Sequence, residues 1–176
     1  ISPAAWKTMK ERKTPIASFY ANLMAFDGYF EKQWFPYTMP ISDIRGLRTA
    51  FENIQADPDI LGRHARIAEA VRSALTGCGL TLHTRDGWSN TVSVFDVPEG
   101  TTASAILAAL RTDYNLMLAG SFDVLEGQVI RIGHMGENAR EEKVLAVMKA
   151  LDGVMAKLGV TLSGSLEAAY TRALDN

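Results

Sequence analysis

The sequence has 176 residues, 47% hydrophobic and 22% charged, with a net charge of −2. That length suffices for one domain with a sizeable core, or a domain plus an appendage, and the balance is ordinary for a soluble globular protein. The basic residues are spread out, which argues against a nucleic-acid partner, and no apolar run reaches the roughly eighteen residues that a membrane span needs.

The chain begins Ile-Ser-Pro-Ala-Ala-Trp, without an initiator Met or a leading polar segment. It reads like the middle of a longer polypeptide, and no signal peptide is visible. Ser2-Pro3 starts a short helix with Pro at its first position. Lys7, Lys10 and Lys13 sit among other charges and read as solvated. From Ile16 to Phe35 the composition turns aromatic, with Phe19, Tyr20, Phe26, Tyr29, Phe30, Trp34 and Phe35. No clean period runs through this stretch, so irregular structure laid on a subunit or domain contact is expected. Thr38-Met39-Pro40 ends it, Ser42 is a plausible cap, and Ile44, Leu47, Phe51 and Ile54 mark one face of a helix.

Asp57-Pro58 restarts a helix by the cap-then-proline pattern, with Ile60, Leu61, His64, Ile67, Ala68, Val71 and Leu75 on its apolar face and Gly77 and Gly79 at its end. His64 on that face reads as a core histidine with one satisfied nitrogen. Cys78, the single cysteine, rules out an internal disulfide, suits a reducing, cytoplasmic setting, and reads as packing. Leu80–Thr84 alternates as a strand, Asp86-Gly87 turns, and Thr91–Val97 alternates again. Thr101 or Thr102 caps a helix carrying Ile106, Leu107 and Leu110. Tyr114–Leu118 is a further strand, and Ala119–Gly127 a loop.

Then comes Val129-Ile130-Arg131-Ile132-Gly133-His134-Met135-Gly136. The β-branched residues predict a strand, and Arg131 interrupts it with a permanent charge. A guanidinium in apolar surroundings should be paired with a carboxylate or await one, and its fork of donors matches a carboxylate with two parallel bonds. Spacing alone leaves a structural ion pair and a ligand site equally open. Asn138, with Glu141 reaching back, predicts a capped helix to Leu158 with Val144, Met148, Leu151, Met155 and Leu158 along one stripe. Ser165–Leu174 adds a last helix. Strands and helices in this order predict a small sheet covered on one side by helices.

The histidines His64, His83 and His134 lie far apart, so no metal site is expected. Gly77-Cys78-Gly79 has Leu82 where a dinucleotide fingerprint needs its third glycine, and it follows a helix instead of a strand. The glycines around His134 lack the Lys-Ser/Thr continuation of a phosphate loop.

Arg131-Ile132-Gly133-His134-Met135-Gly136 resembles the Arg-Ile-Gly-x-Met-Gly signature of class V pyridoxal-phosphate-dependent aminotransferases, of the alanine–glyoxylate and serine–pyruvate type, with the pyridoxamine–pyruvate enzymes nearby. Tyr37-Thr38-Met39-Pro40 and Gly62-Arg63-His64 agree with that family in order and rough spacing, so the resemblance runs from about Trp6 to about Leu174. It implies an α/β (α+β two-layer) fold, the C-terminal small domain of a fold type I enzyme, with a small, mainly antiparallel sheet covered by helices. Residues 1–37 would be the tail of the large cofactor domain and an interface segment, and residues 38–176 the small domain.

The resemblance also implies a transaminase with pyridoxal 5'-phosphate as cofactor. It would work as a homodimer on a small amino acid, of alanine or serine type, and a 2-oxo acid, glyoxylate or pyruvate. Arg131 would bind the substrate α-carboxylate, and Thr38 the cofactor phosphate of the neighbouring subunit. The Schiff-base lysine is expected upstream of Ile1, leaving no catalytic residue here and an inactive fragment. Many relatives carry a Tyr at the place of Phe35, which cannot bond a phosphate, although Tyr37 is close by. Phe122 stands where the pyridoxamine–pyruvate enzymes carry a second arginine, which favours a small amino-acid donor. The alternatives are a pyridoxamine–pyruvate aminotransferase and a non-catalytic binding or dimerisation module of the same fold.

Overall fold

Ile130 and Ile132 share one side of an extended segment, and the hydrophobic core forms against that side. A computed structural model describes residues 1–175; Asn176, the end of the expected small domain, lies outside them. The described residues fall into two compact units, one ending at Ala56 and one beginning at Asp57.

In the first unit, Ser2 accepts the Ala5 N–H at 3.2 Å and caps α1 (Pro3–Lys10). The aromatic stretch is irregular, with one 3₁₀ turn at Leu23–Phe26. Its rings pack edge to face: Phe26 lies 5.4 Å from Phe35 and 5.6 Å from Tyr37 between centroids. Helix α2 (Ile41–Gln55) begins directly after Pro40, so Ser42 is a residue of its first turn and not its cap. Pro40 fixes the backbone just before the helix, and its carbonyl accepts the Ile44 N–H at 3.0 Å. The stripe Ile41, Ile44, Leu47, Phe51 and Ile54 is 49–57% exposed.

The second unit holds α3 (Ile60–Gly77), β1 (Val92–Asp96), α4 (Ala103–Tyr114), β2 (Val129–Gly133), α5 (Glu141–Lys157) and α6 (Leu166–Leu174). Strands β1 and β2 pair antiparallel, from Val92 opposite Gly133 to Asp96 opposite Val129. Single bridges extend the sheet on both sides, Leu82 opposite Phe95 and Ala119 opposite Arg131. These bridges replace the two further strands that alternation suggested at Leu80–Thr84 and Tyr114–Leu118. Tyr114 stays in α4, Asn115 caps that helix in the left-handed conformation (φ 52°), and the chain reaches the sheet only at Ala119.

One face of the sheet is sealed. Ser93, Phe95, Ile130 and Ile132 are at most 3% exposed, and the helices lie over them. Ile67, Val71 and Leu75 of α3, Ile106 and Leu110 of α4, and Met148, Leu151 and Met155 of α5 complete the core with Leu166 and Tyr170 of α6. Burying each large aliphatic side chain here contributes about 1.5–3 kcal/mol. Leu61, expected on the inward face of α3, is 83% exposed. The opposite sheet face, carrying Val92, Val94 and Arg131, is only partly covered.

Two further expected caps are not formed. Asp57 does not cap α3; its carboxylate pairs with Arg63 and accepts the Asp59 N–H at 3.3 Å. Asn138 belongs to a separate 3₁₀ turn, Gly136–Asn138, and α5 starts at Glu141 after Arg140. The Ala139 N–H is consumed by the Gly136 carbonyl at 3.1 Å, which closes the turn before the helix begins. Glu141 and Glu142 supply the negative charge that the first turn of α5 favours.

Helix α6 is capped from α5 as well as by its own Ser165. Asp152 accepts the N–H groups of Leu166 at 2.8 Å and Glu167 at 3.1 Å, and the Ser165 hydroxyl at 2.7 Å. Ser165 in turn accepts the Ala168 N–H at 3.2 Å. Asp152→Ala is therefore expected to destabilise the unit by about 1–2 kcal/mol, because backbone donors lose their acceptor. Urea unfolding measures this; a midpoint unchanged from wild type would contradict the cap.

Candidate functional site

Arg131 lies in the middle of β2, on the face away from the core, and is half-buried. Its backbone is held from both sides: it pairs with Val94 across the sheet, and its N–H donates to Ala119 O at 2.7 Å. Its side-chain Nε donates to Gly120 O at 2.6 Å, which fixes the plane of the guanidinium. The Phe122 ring, 75% exposed, lies with its centroid 6.0 Å from the guanidinium carbon.

Among the described residues, no carboxylate comes within 4.0 Å of this cation and none accepts a hydrogen bond from its Nη groups. Sequence left an internal ion pair and a ligand site open; the described residues provide no internal ion pair. A guanidinium anchored through Nε, with its outer donors unused on the partly covered face of a sheet, can take a carboxylate with two parallel charge-assisted bonds.

The segment after β2 is pinned on two sides. His134 is fully buried; its backbone N–H donates to Thr91 O and its Nε2 lies 2.9 Å from Ser93 Oγ. It shapes the turn and, being fully buried, is out of reach of a ligand. On the other side, His64 Nδ1 lies 2.6 Å from Ile60 O, and the Gly136 N–H donates to His64 Nε2 at 3.1 Å. A carbonyl only accepts, so Nδ1 carries the proton and Nε2 is free to accept. Both nitrogens are used, where the sequence suggested one. Arg63 Nε donates to Ala139 O at 2.8 Å, while its Nη1 pairs with Asp57 at 2.5 Å. That guanidinium holds the Asp57 carboxyl below its ordinary range, chiefly through the hydrogen bond.

The contacts of Arg63 and Arg72 have no counterpart in the sequence pattern. Arg72 is 8% exposed, donates to Glu69 at 3.0 Å and lies over the Trp88 ring at 5.2 Å. A lone arginine on an otherwise helical pattern gives no hint of which distant backbone or ring it meets. Thr38 belongs to the first unit and Arg131 to the second. Thr38 is exposed in the loop before α2, and its hydroxyl makes no hydrogen bond among the described residues. Tyr37, beside it, donates its hydroxyl to Phe19 O at 2.5 Å. Cys78 is 2% exposed and burial pushes its thiol up, in keeping with packing.

The chain is 33% identical over 99% of its length to a soluble hydrogenase small subunit of Synechococcus sp. and covers 46% of that protein. It is 32% identical over 92% of its length to an L-aspartate–glyoxylate aminotransferase of Paracoccus denitrificans, covering 41% of it. The crystal structure of pyridoxamine–pyruvate aminotransferase from Mesorhizobium loti superposes on 99% of the chain with a TM-score of 0.85 at 28% identity, and 46% of that enzyme is covered. The chain's homologues include class V aminotransferases.

Further relatives in this family are named serine–glyoxylate aminotransferases. No family model matches the chain. The chain spans about half the length of the curated relatives it matches, a share consistent with a C-terminal part of an aminotransferase. The small antiparallel sheet under helices is the fold of that part. Among the described residues, no helix is long and apolar enough to cross a membrane.

The burial of His134 also couples stability to pH. Burial holds its pKa below the ordinary 6.5. Below pH 6.5 the unfolded chain takes up a proton that the folded chain refuses, so stability present above that value is lost as the pH falls through the lowered folded pKa. Urea unfolding between pH 7 and pH 5 is expected to show this fall, and His134→Gln to flatten it; an equal slope in both proteins would contradict the assignment.

Proposed function

We propose that this chain is the C-terminal part of a pyridoxal-phosphate-dependent aminotransferase, and that Arg131 binds the α-carboxylate of its amino-acid and 2-oxo-acid substrates. Residues 1–37 are the tail of the large cofactor domain and residues 38–176 the small domain. The lysine that holds the cofactor lies in the part of the relatives' length that this chain does not span. The observation that carries the reading is the anchored Arg131 guanidinium, half-buried, whose outer donors meet no protein acceptor among the described residues. Those donors remain accessible on the partly covered sheet face, where a carboxylate can pair with the cation.

When bound, pyridoxal phosphate supplies the electron sink that lets the substrate Cα–H bond break. The share of this chain is orientation. Two parallel bonds from Arg131 to a carboxylate fix the direction of the Cα substituents, and good positioning of a reacting bond is worth several kcal/mol of barrier. Thr38, with a free hydroxyl just ahead of α2, is suited to donate to the cofactor phosphate of a neighbouring subunit, so the working form is a homodimer. The amino donor is a small one, of alanine or serine type, and the acceptor glyoxylate or pyruvate. Phe122 supports that choice, because it sets an apolar ring beside Arg131 where a second cation would favour a larger, charged partner.

In the full-length enzyme, Arg131→Ala is expected to raise KM for both amino and oxo acid, lowering kcat/KM by roughly two orders of magnitude through loss of a bidentate charge-assisted pair. Arg131→Lys keeps the charge without the fork and should fall between the two. Steady-state kinetics with alanine, serine, glyoxylate and pyruvate measure this. Unchanged KM values for every substrate in Arg131→Ala would remove the assignment.

A further inference from the structure

The loop that leaves β2 starts a 3₁₀ turn at Gly136, which has a positive φ of 56°. The first N–H of such a turn has no partner inside it, and no side chain next to it in sequence supplies one. Its acceptor comes from 72 residues away, as the Nε2 of His64 at 3.1 Å. At the other end of the same turn, the Ala139 carbonyl takes its hydrogen bond from Arg63, the residue next to His64, at 2.8 Å. Two consecutive residues of α3 thus satisfy the opening donor and the closing acceptor of the turn. Both are themselves anchored, His64 by Ile60 O and Arg63 by Asp57. Neither contact is needed to seal the core, since both side chains lie outside the fully buried set.

We propose that His64 is a positioning residue for the carboxylate-binding strand: by accepting the Gly136 N–H, it sets the path of the chain leaving β2 and so the placement of Arg131 five residues earlier. The inference rests on the reading of Arg131 given above. His64 touches no substrate in this account. Its work is to hold one backbone amide, and the neutral ring protonated on Nδ1 is the form that can do so.

The test uses the full-length enzyme with three variants. His64→Phe keeps the ring and removes the acceptor; it is expected to raise KM for amino and oxo acids roughly 10-fold while kcat stays within about threefold. His64→Gln places an amide oxygen near the Nε2 position and is expected to restore KM to within about threefold of wild type. Wild-type KM in His64→Phe, or a His64→Gln enzyme as impaired as His64→Phe, would overturn the proposal. Arg131→Ala is run alongside: if it raises KM and His64→Phe does not, only the positioning role fails, and if it leaves KM unchanged, the reading of Arg131 fails first. A measurement on unmodified protein stands independently of variant folding. The ring-nitrogen NMR signals of His64 are expected to show an Nδ1–H tautomer and to shift on titration with acetate; an Nε2–H tautomer, or no shift at carboxylate saturation, overturns the proposal.

Discussion

The structure depends on one constraint: a permanent positive charge must sit in a strand whose two flanking residues belong to the core. Ile130 and Ile132 are at most 1% exposed, so the strand cannot move outward to solvate Arg131. Period-two alternation resolves the conflict by placing the guanidinium on the opposite face. The rest of the unit maintains that division. The helices cover the Ile130 and Ile132 face, while the other face keeps Arg131, Val94 and the Phe122 ring.

Position alone would leave a flexible side chain. The sheet edge adds rigidity, because the segment at Ala119 and Gly120 takes both the backbone N–H and Nε of Arg131. A guanidinium fixed in this way loses less freedom when it binds, which favours a planar, two-bonded partner over a point charge. Further along, His134 with Ser93 on one side and His64 with Arg63 on the other hold the exit from the strand. The proposed carboxylate-binding side chain is one residue, and the contacts around its strand come from β1, α3 and the Ala119 edge.

What could be read from sequence followed from periodicity and from residues with a single strong conformational role. The helices with clean apolar stripes, the helix start at Ser2-Pro3, a threonine cap at Thr101 or Thr102 (the structure uses Thr102), and the two paired strands are legible because each depends on neighbours within one or two turns. The failures are positions where a distant group took over a local role. Asn138 and Asp57 have cap chemistry, yet the Gly136 carbonyl closes the turn that holds Asn138, and Arg63 claims Asp57. The strand expected at Tyr114–Leu118 gave way to a helix that continues through Tyr114. At the site, Arg131 was visible as a misplaced charge. The pairing of His64 with Gly136, 72 residues apart, leaves no trace in spacing.

The central claim is that Arg131 receives a carboxylate from outside the protein. A crystal structure of the full-length enzyme with acetate or pyruvate bound tests it most directly. Both carboxylate oxygens are expected on the two Nη groups of Arg131, with Nε still donating to Gly120 O. A carboxylate seated elsewhere, with Arg131 turned onto an Asp or Glu of the protein, would contradict it.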